Sequence, residues 1–149
     1  MGETRIAFRD VSKRFPGKRP GEAEVHAVRN VTLAIADGEV ASLIGPSGCG
    51  KSTLLNMGSG LYLPTEGTVE IDGVQVTGPN SQVAFMLQKD LLLPWRTIRE
   101  NAELGLEIRG VAANERRERA LELLARCHLG GFENHYPHQL SGGMRQRSA

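Results

Sequence analysis

Gly45-Pro46-Ser47-Gly48-Cys49-Gly50-Lys51-Ser52-Thr53 is a complete G-x-x-x-x-G-K-[ST] run, the pattern of a phosphate-binding loop. Its flanks are those the pattern requires. Val40-Ala41-Ser42-Leu43-Ile44 reads as a buried strand entering the loop, and Leu54-Leu55 as the apolar start of a helix leaving it. Gly45, Gly48 and Gly50 let the backbone turn tightly and aim successive N–H groups inward, so loop and helix N-terminus together form an anion cradle. In such a cradle Lys51 neutralises β- and γ-phosphates and Ser52 offers its hydroxyl to Mg²⁺. The other reading of these residues is a glycine-rich strand-to-helix turn that holds no ligand.

A chain of 149 residues is one domain's worth and can bury roughly two-thirds of its unfolded surface. Its formal net charge of +1 gives no bulk attraction to nucleic acid or anionic lipid, so no nucleic-acid partner is expected. Basic runs at Arg14 to Arg19, at Arg116-Arg117-Arg119 and at Arg145-Arg147 fit solvated faces, and the first two carry no assigned function. Two cysteines, Cys49 and Cys127, are too few for a disulfide framework, and a bridge at Cys49 would distort the loop. A reducing cytoplasm is expected. Cys49, beside a helix N-terminus, reads either as a modifiable thiol or as a small tolerated side chain. The N-terminal residues have no apolar signal core, and no stretch approaches the length of a membrane span.

Residues 6 to 35 read as antiparallel strands: Ile6-Ala7-Phe8 with Val11, then Val25 to Val28, then Val31 to Ile35. The segment Pro16 to Gly21 is a turn-rich exposed loop. After the glycine-rich run a helix extends to about Gly60, with Gly58 and Gly60 poor residues for its interior. Gly67 to Val76 alternates with period two around Asp72-Gly73, the signature of a hairpin. Val83-Ala84-Phe85-Met86-Leu87 predicts a second buried strand. From about Leu91 the pattern turns helical. Thr97 and Glu100 form a capping-box pair, with Ile98, Ala102, Leu104 and Ile108 at roughly helical spacing. A second helix starts near Asn114, with Leu121, Leu124 and Ala125 inward and Glu115, Arg116, Arg119 and Glu122 outward, ending before Gly130-Gly131.

Near the C-terminus stands Leu140-Ser141-Gly142-Gly143-Met144-Arg145-Gln146, which resembles the signature sequence of ATP-binding cassette (ABC) transporter ATPases, with Met144 where that family often has glutamine. The resemblance covers essentially the whole chain. Phe15 matches the family's adenine-stacking aromatic and Gln88 its Q-loop glutamine, in the expected order. It implies an α/β fold: a P-loop NTPase core with an N-terminal antiparallel β subdomain and a helical signature subdomain, incomplete at the C-terminus. Residues 1–149 would then be one partial nucleotide-binding domain, β-rich over about 1–87 and helical over about 88–149. ATP and Mg²⁺ are the implied cofactors. Gly45 to Thr53 would hold phosphate, Lys51 and Gln88 would serve catalysis, and Ser52 and Gln88 would ligate Mg²⁺. Ser141, Gly142 and Gly143 would contact the γ-phosphate held by a second nucleotide-binding subunit in a head-to-tail dimer. The other readings of these residues are a core phenylalanine for Phe15, a surface glutamine for Gln88, and a simple N-cap before a flexible glycine pair for Ser141.

Val76-Thr77-Gly78-Pro79 and Leu92-Leu93-Pro94-Trp95-Arg96-Thr97 resemble the branch of the family that imports nitrate, sulfonates, taurine and similar small anions. The resemblance implies transmembrane permease partners and a peripheral place on the cytoplasmic face of the plasma membrane. Leu92 to Trp95 would be either a docking surface for a permease or local core packing. The family continues beyond the signature with an apolar helix and a strand carrying the Walker B aspartate and a catalytic glutamate. No acidic residue follows Glu133, and all four histidines precede Ser141, so those carboxylates and the switch histidine are absent from these residues. Strands flanking Val40 to Ile44 would be missing too, leaving apolar surface and an unpaired sheet edge. Four readings follow: an importer ATPase subunit; a module that binds ATP without hydrolysing it; an unrelated phosphate-loop kinase or GTPase; and a fragment that does not fold alone.

Overall fold

The computed structural model describes residues 3–17, 19, 21–87 and 89–149. The chain forms two compact units, Met1–Phe85 and Met86–Ala149.

The first unit is an antiparallel sheet carrying one helix. Strands β1 (Thr4–Phe15), β2 (Val25–Ala36), β3 (Glu66–Ile71) and β4 (Val74–Gln75) lie in the order β2-β1-β3-β4, and helix α1 (Lys51–Gly58) packs on them. The two β segments expected at Val25 to Val28 and Val31 to Ile35 are one continuous strand. It stays continuous because the pairing slips rather than ends. Asp10 and Asn30 take left-handed φ values of 49° and 46°, which Asp and Asn tolerate best among non-glycine residues. The slips at Asp10 and at Asn30 are tied by side chains. The Asp10 N–H donates to Thr32 Oγ1 and the Thr32 hydroxyl to Asp10 Oδ1, while Ser12 Oγ donates to Asn30 Oδ1 and accepts the Asn30 N–H, all at 3.0 Å. The expected hairpin is present. Asp72 and Gly73 both have positive φ, 51° and 73°, as a two-residue primed turn requires.

Inward residues of the sheet, Phe8, Val11, Val28, Val69 and Ile71, close over Leu54 and Met57 of α1 and over Val76. Burying eight such side chains at about 1.5–3 kcal/mol each is ample to hold α1, too short to be stable by itself, against the sheet. Neither long apolar run becomes a strand. Val40 to Ile44 is irregular and open to solvent, Val40 at 93% and Ile44 at 95% exposure. Val83 to Leu87 is irregular as well; Val83 leans on the core, whereas Met86 and Leu87 are exposed. A central parallel strand is held by hydrogen-bonded neighbours on both edges, and no strand pairs with either run among the described residues.

The second unit is helical: α2 (Ile98–Ile108), α3 (Ala113–Arg126) and α4 (Gly142–Ser148), with a 3₁₀ turn at Pro137–Gln139. Thr97 and Glu100 make the reciprocal capping box at the start of α2. The next two amides are also satisfied, Ile98 N–H by the His135 carbonyl and Arg99 N–H by that of Glu133. The core is Ile98, Leu124, Leu129 and Leu140, with Leu92, Ala102, Cys127 and Met144 around it. Three details differ from the helical pattern in the sequence. Ala125 is exposed and Ala120 is buried in its stead; Ile108 is exposed; and Arg116 turns half inward. Arg116 does so because buried Glu103 of α2 needs a counter-charge: the carboxylate pairs with Arg99 on its own helix and with Arg116 Nε at 3.2 Å.

Candidate functional site

The glycine-rich loop ends where α1 begins, and two glycines set its path. Gly48 has φ 82° and Gly50, the N-cap of α1, has φ 96°. At Gly50 the loop comes so close to β2 that a Cβ would lie 2.3 Å from the Ala27 carbonyl oxygen. Only glycine fits both the angle and the space. Among the described residues no side chain caps α1, so its first N–H groups have no side-chain partner there and face the loop at the positive end of the helix dipole.

Lys51 turns into the loop. Its ammonium donates to the carbonyl oxygens of Gly45 at 2.8 Å and Pro46 at 2.7 Å, and stands 3.4 Å from Cys49 Sγ. A cation and a row of N–H donors therefore converge on one concavity, an arrangement suited to oxyanions of high charge. Ser52, at the second helical position, is exposed, and Thr53 is half-buried. A cavity of about 470 Å³ extends from Cys49, Gly50 and Lys51 along His26 to Arg29 of β2, towards Leu43 and Leu54. That volume is in the range of small-molecule sites.

Phe15 stands on β1, beside the strand β2 that lines this cavity. It ends β1, paired with Val25, next to the His26 that lines the cavity wall. Its ring is half-buried and meets Tyr62 edge to face, centroids 5.5 Å apart at 76°, while Lys13 Nζ sits 5.3 Å over it. The sequence reading did not single out Tyr62 or Lys13. Nothing local marks them, since their link to Phe15 depends on how the loop after α1 returns to β1.

In the second unit Ser141 is the N-cap of α4, its Oγ accepting the Met144 N–H at 3.3 Å, with Gly142 and Gly143 exposed beside it. Arg145 fixes this turn: Nε donates to Asp90 at 2.9 Å and Nη1 to the Leu140 carbonyl at 2.7 Å. Of the apolar loop Leu92 to Trp95, Leu92 packs on the core and Trp95 stays open to solvent at 71% exposure. Gln88 lies outside the described residues.

The family model for ABC transporter matches residues 28–149, a span that holds both the loop and the Ser141 turn. The chain belongs to the ABC transporter family. Among similar family members is the taurine import ATP-binding protein TauB of Yersinia pestis, 46% identical over 121 residues, 81% of this chain and 48% of that protein. The nitrate import ATP-binding protein NrtD of Synechocystis is 42% identical over 144 residues, 97% of this chain and 53% of that protein. This chain spans about half the length of the curated relatives it matches. Among solved structures, the ATP-binding cassette MJ0796, a dimer in a post-hydrolysis state bound to ADP and Pi, superposes with a TM-score of 0.84 at 38% identity. The match covers 96% of this chain and 66% of that one, so the α/β cassette fold is that of ABC ATPases. No helix among the described residues is long and apolar enough to cross a membrane.

Proposed function

We propose that this chain carries the phosphate-binding part of the ATP-binding subunit of an ABC importer for a small anionic solute of the taurine or nitrate kind. The solute class rests on the stretches Val76 to Pro79 and Leu92 to Thr97 and on the relatives' names, TauB and NrtD. The observation that carries the nucleotide reading is the Lys51 ammonium held 2.7–2.8 Å from loop carbonyls, inside a turn with two left-handed glycines at the uncapped start of α1.

In this reading the loop amides and Lys51 take up the β- and γ-phosphates. Lys51 exchanges its bonds to the neutral Gly45 and Pro46 carbonyls for bonds to anionic phosphate oxygens, where both partners carry charge and the attraction is stronger. Phe15 stacks on the base at the His26 end of the cavity. Ser52, exposed beside Lys51, fits the oxygen-donor chemistry of Mg²⁺, and Gln88 is the proposed second ligand. Held there, Mg²⁺ would supply positive charge to offset that of the phosphate oxygens. Ser141, Gly142 and Gly143 present a hydroxyl and amides for the γ-phosphate of a second nucleotide-binding subunit, and Leu92 to Trp95 faces a permease. Hydrolysis coupled to uptake, at the cytoplasmic face of the membrane, belongs to the whole subunit in this proposal.

A titration of the full chain with a fluorescent ATP analogue tests it. Wild type is expected to saturate, and Lys51→Ala to bind about 10- to 100-fold more weakly, the worth of a charged hydrogen bond. No saturation, or equal binding by Lys51→Ala, overturns the reading.

A further inference from the structure

The loop that follows α1 is bound to the tip of β1 at four points. The Thr65 N–H donates to the Ser12 carbonyl at 2.8 Å, and the Arg14 N–H to Thr65 Oγ1 at 3.0 Å. Lys13 Nζ donates to the Leu63 carbonyl at 2.7 Å, and the Tyr62 ring meets Phe15. At its other end the same loop is tied to the phosphate-side helix, because the Tyr62 N–H donates to the Asn56 carbonyl of α1 at 3.1 Å. A continuous run of contacts therefore joins the helix that begins in the glycine-rich loop to the Phe15 ring.

We propose that Tyr62 and Lys13 are positioning residues for nucleotide recognition: together they hold the Phe15 ring in the pose that receives the base. The inference rests on the nucleotide reading above and deepens it. An isolated phenylalanine at a strand end has two free side-chain torsions, and a base that stacks on it must first fix them. Here the edge-to-face contact at 5.5 Å fixes the ring beforehand, and the Lys13 ammonium, 5.3 Å over Phe15 and 5.9 Å from the Tyr62 centroid, holds both rings as one unit. Lys13 itself has little freedom, since its ammonium is committed to the Leu63 carbonyl. Tyr62 is 42% exposed, and its ring is the part that meets Phe15. The pair thus adds preorganisation on the base side of the site.

The test compares the affinities of ATP and of inorganic tripolyphosphate, measured by calorimetry on the full chain. An edge-to-face pair is worth about 0.5–1.5 kcal/mol, so Tyr62→Leu should weaken ATP about 3- to 10-fold and leave tripolyphosphate within about 2-fold. Tyr62→Phe, which keeps the ring, should restore ATP binding. Lys13→Met, which keeps the stem, should show the same selective loss at about 2- to 5-fold. Equal loss of both ligands in Tyr62→Leu would mean a merely structural role and overturns the proposal. So does an unchanged ATP affinity in Tyr62→Leu alongside a loss in Phe15→Ala. If Phe15→Ala also leaves the ratio of the two affinities unchanged, the base-stacking reading falls first and this inference with it.

Discussion

Gly50→Ala is the sharpest probe of how the glycine-rich loop is held against the sheet. At φ 96° an alanine is strained by about 1–2 kcal/mol wherever it sits. Here its Cβ would also stand 2.3 Å from the Ala27 carbonyl oxygen and 3.1 Å from Val28 Cγ2. Ala27 sits at a slip in the sheet but between the paired residues His26 and Val28, so the loop or β2 must shift, at a further cost of about 1–3 kcal/mol by analogy with overpacked cores. The total is about 2–5 kcal/mol. Gly48→Ala is the matched control: its φ is 82°, yet nothing lies within 4 Å of the added methyl, so only the backbone penalty of about 1–2 kcal/mol remains. Amide hydrogen exchange in the peptide spanning Val25–Ala36 reads the difference directly, since protected β2 amides exchange through opening of the unit. Gly50→Ala should exchange roughly 5- to 150-fold faster there than Gly48→Ala, at tenfold per 1.4 kcal/mol. Equal exchange in the two variants would refute the close approach of the loop to β2.

In the helical unit, Thr97→Ala removes the cap of α2 and should cost about 1 kcal/mol in urea melts followed through Trp95 fluorescence; an unchanged midpoint would deny the capping box. Glu103→Ala strips the counter-charge from Arg99 and Arg116 and should cost about 1–3 kcal/mol by the same melt, whereas loss of the more exposed partner in Glu115→Ala should cost under 0.5 kcal/mol. Acid should weaken this unit in part through Glu100. The Thr97 N–H donated to its carboxylate holds Glu100 below its ordinary value of 4.5, so the folded form binds its proton later than the unfolded form. Its contribution is present above pH 4.5 and is lost as pH falls through the lower folded value; melts of Glu100→Gln, which keeps an acceptor, should show a shallower loss below pH 4.5 than wild type.

What was legible in the sequence is what depends on neighbours in the chain. The capping box at Thr97 and Glu100, the turn at Asp72-Gly73 and the glycine-rich loop all rest on contacts within a few residues, and each stands where the pattern puts it. The apolar runs Val40 to Ile44 and Val83 to Leu87 misled because apolarity reports burial in a sheet without saying which strands supply it; here no strand stands beside them among the described residues. Nothing in the sequence marks Glu103 as buried, because Arg116, one of the two partners that make its burial tolerable, is on another helix. The same limit applies within the candidate site. The phosphate side reads from nine consecutive residues, whereas the setting of Phe15 depends on Tyr62 and Lys13, brought together by the return of the chain from α1 to β1.

The central claim is that the amides of the loop and the first turn of α1, with Lys51, grip a triphosphate. Backbone amide resonances of Gly48, Gly50, Lys51 and Ser52, followed by nuclear magnetic resonance during titration of the full chain with ATP and then with tripolyphosphate, test it most directly. All four should move with both ligands and saturate at the same ligand concentration as calorimetry gives, and in Lys51→Ala saturation should require about 10- to 100-fold more of either ligand. Four stationary resonances in a titration where calorimetry registers binding would contradict the account.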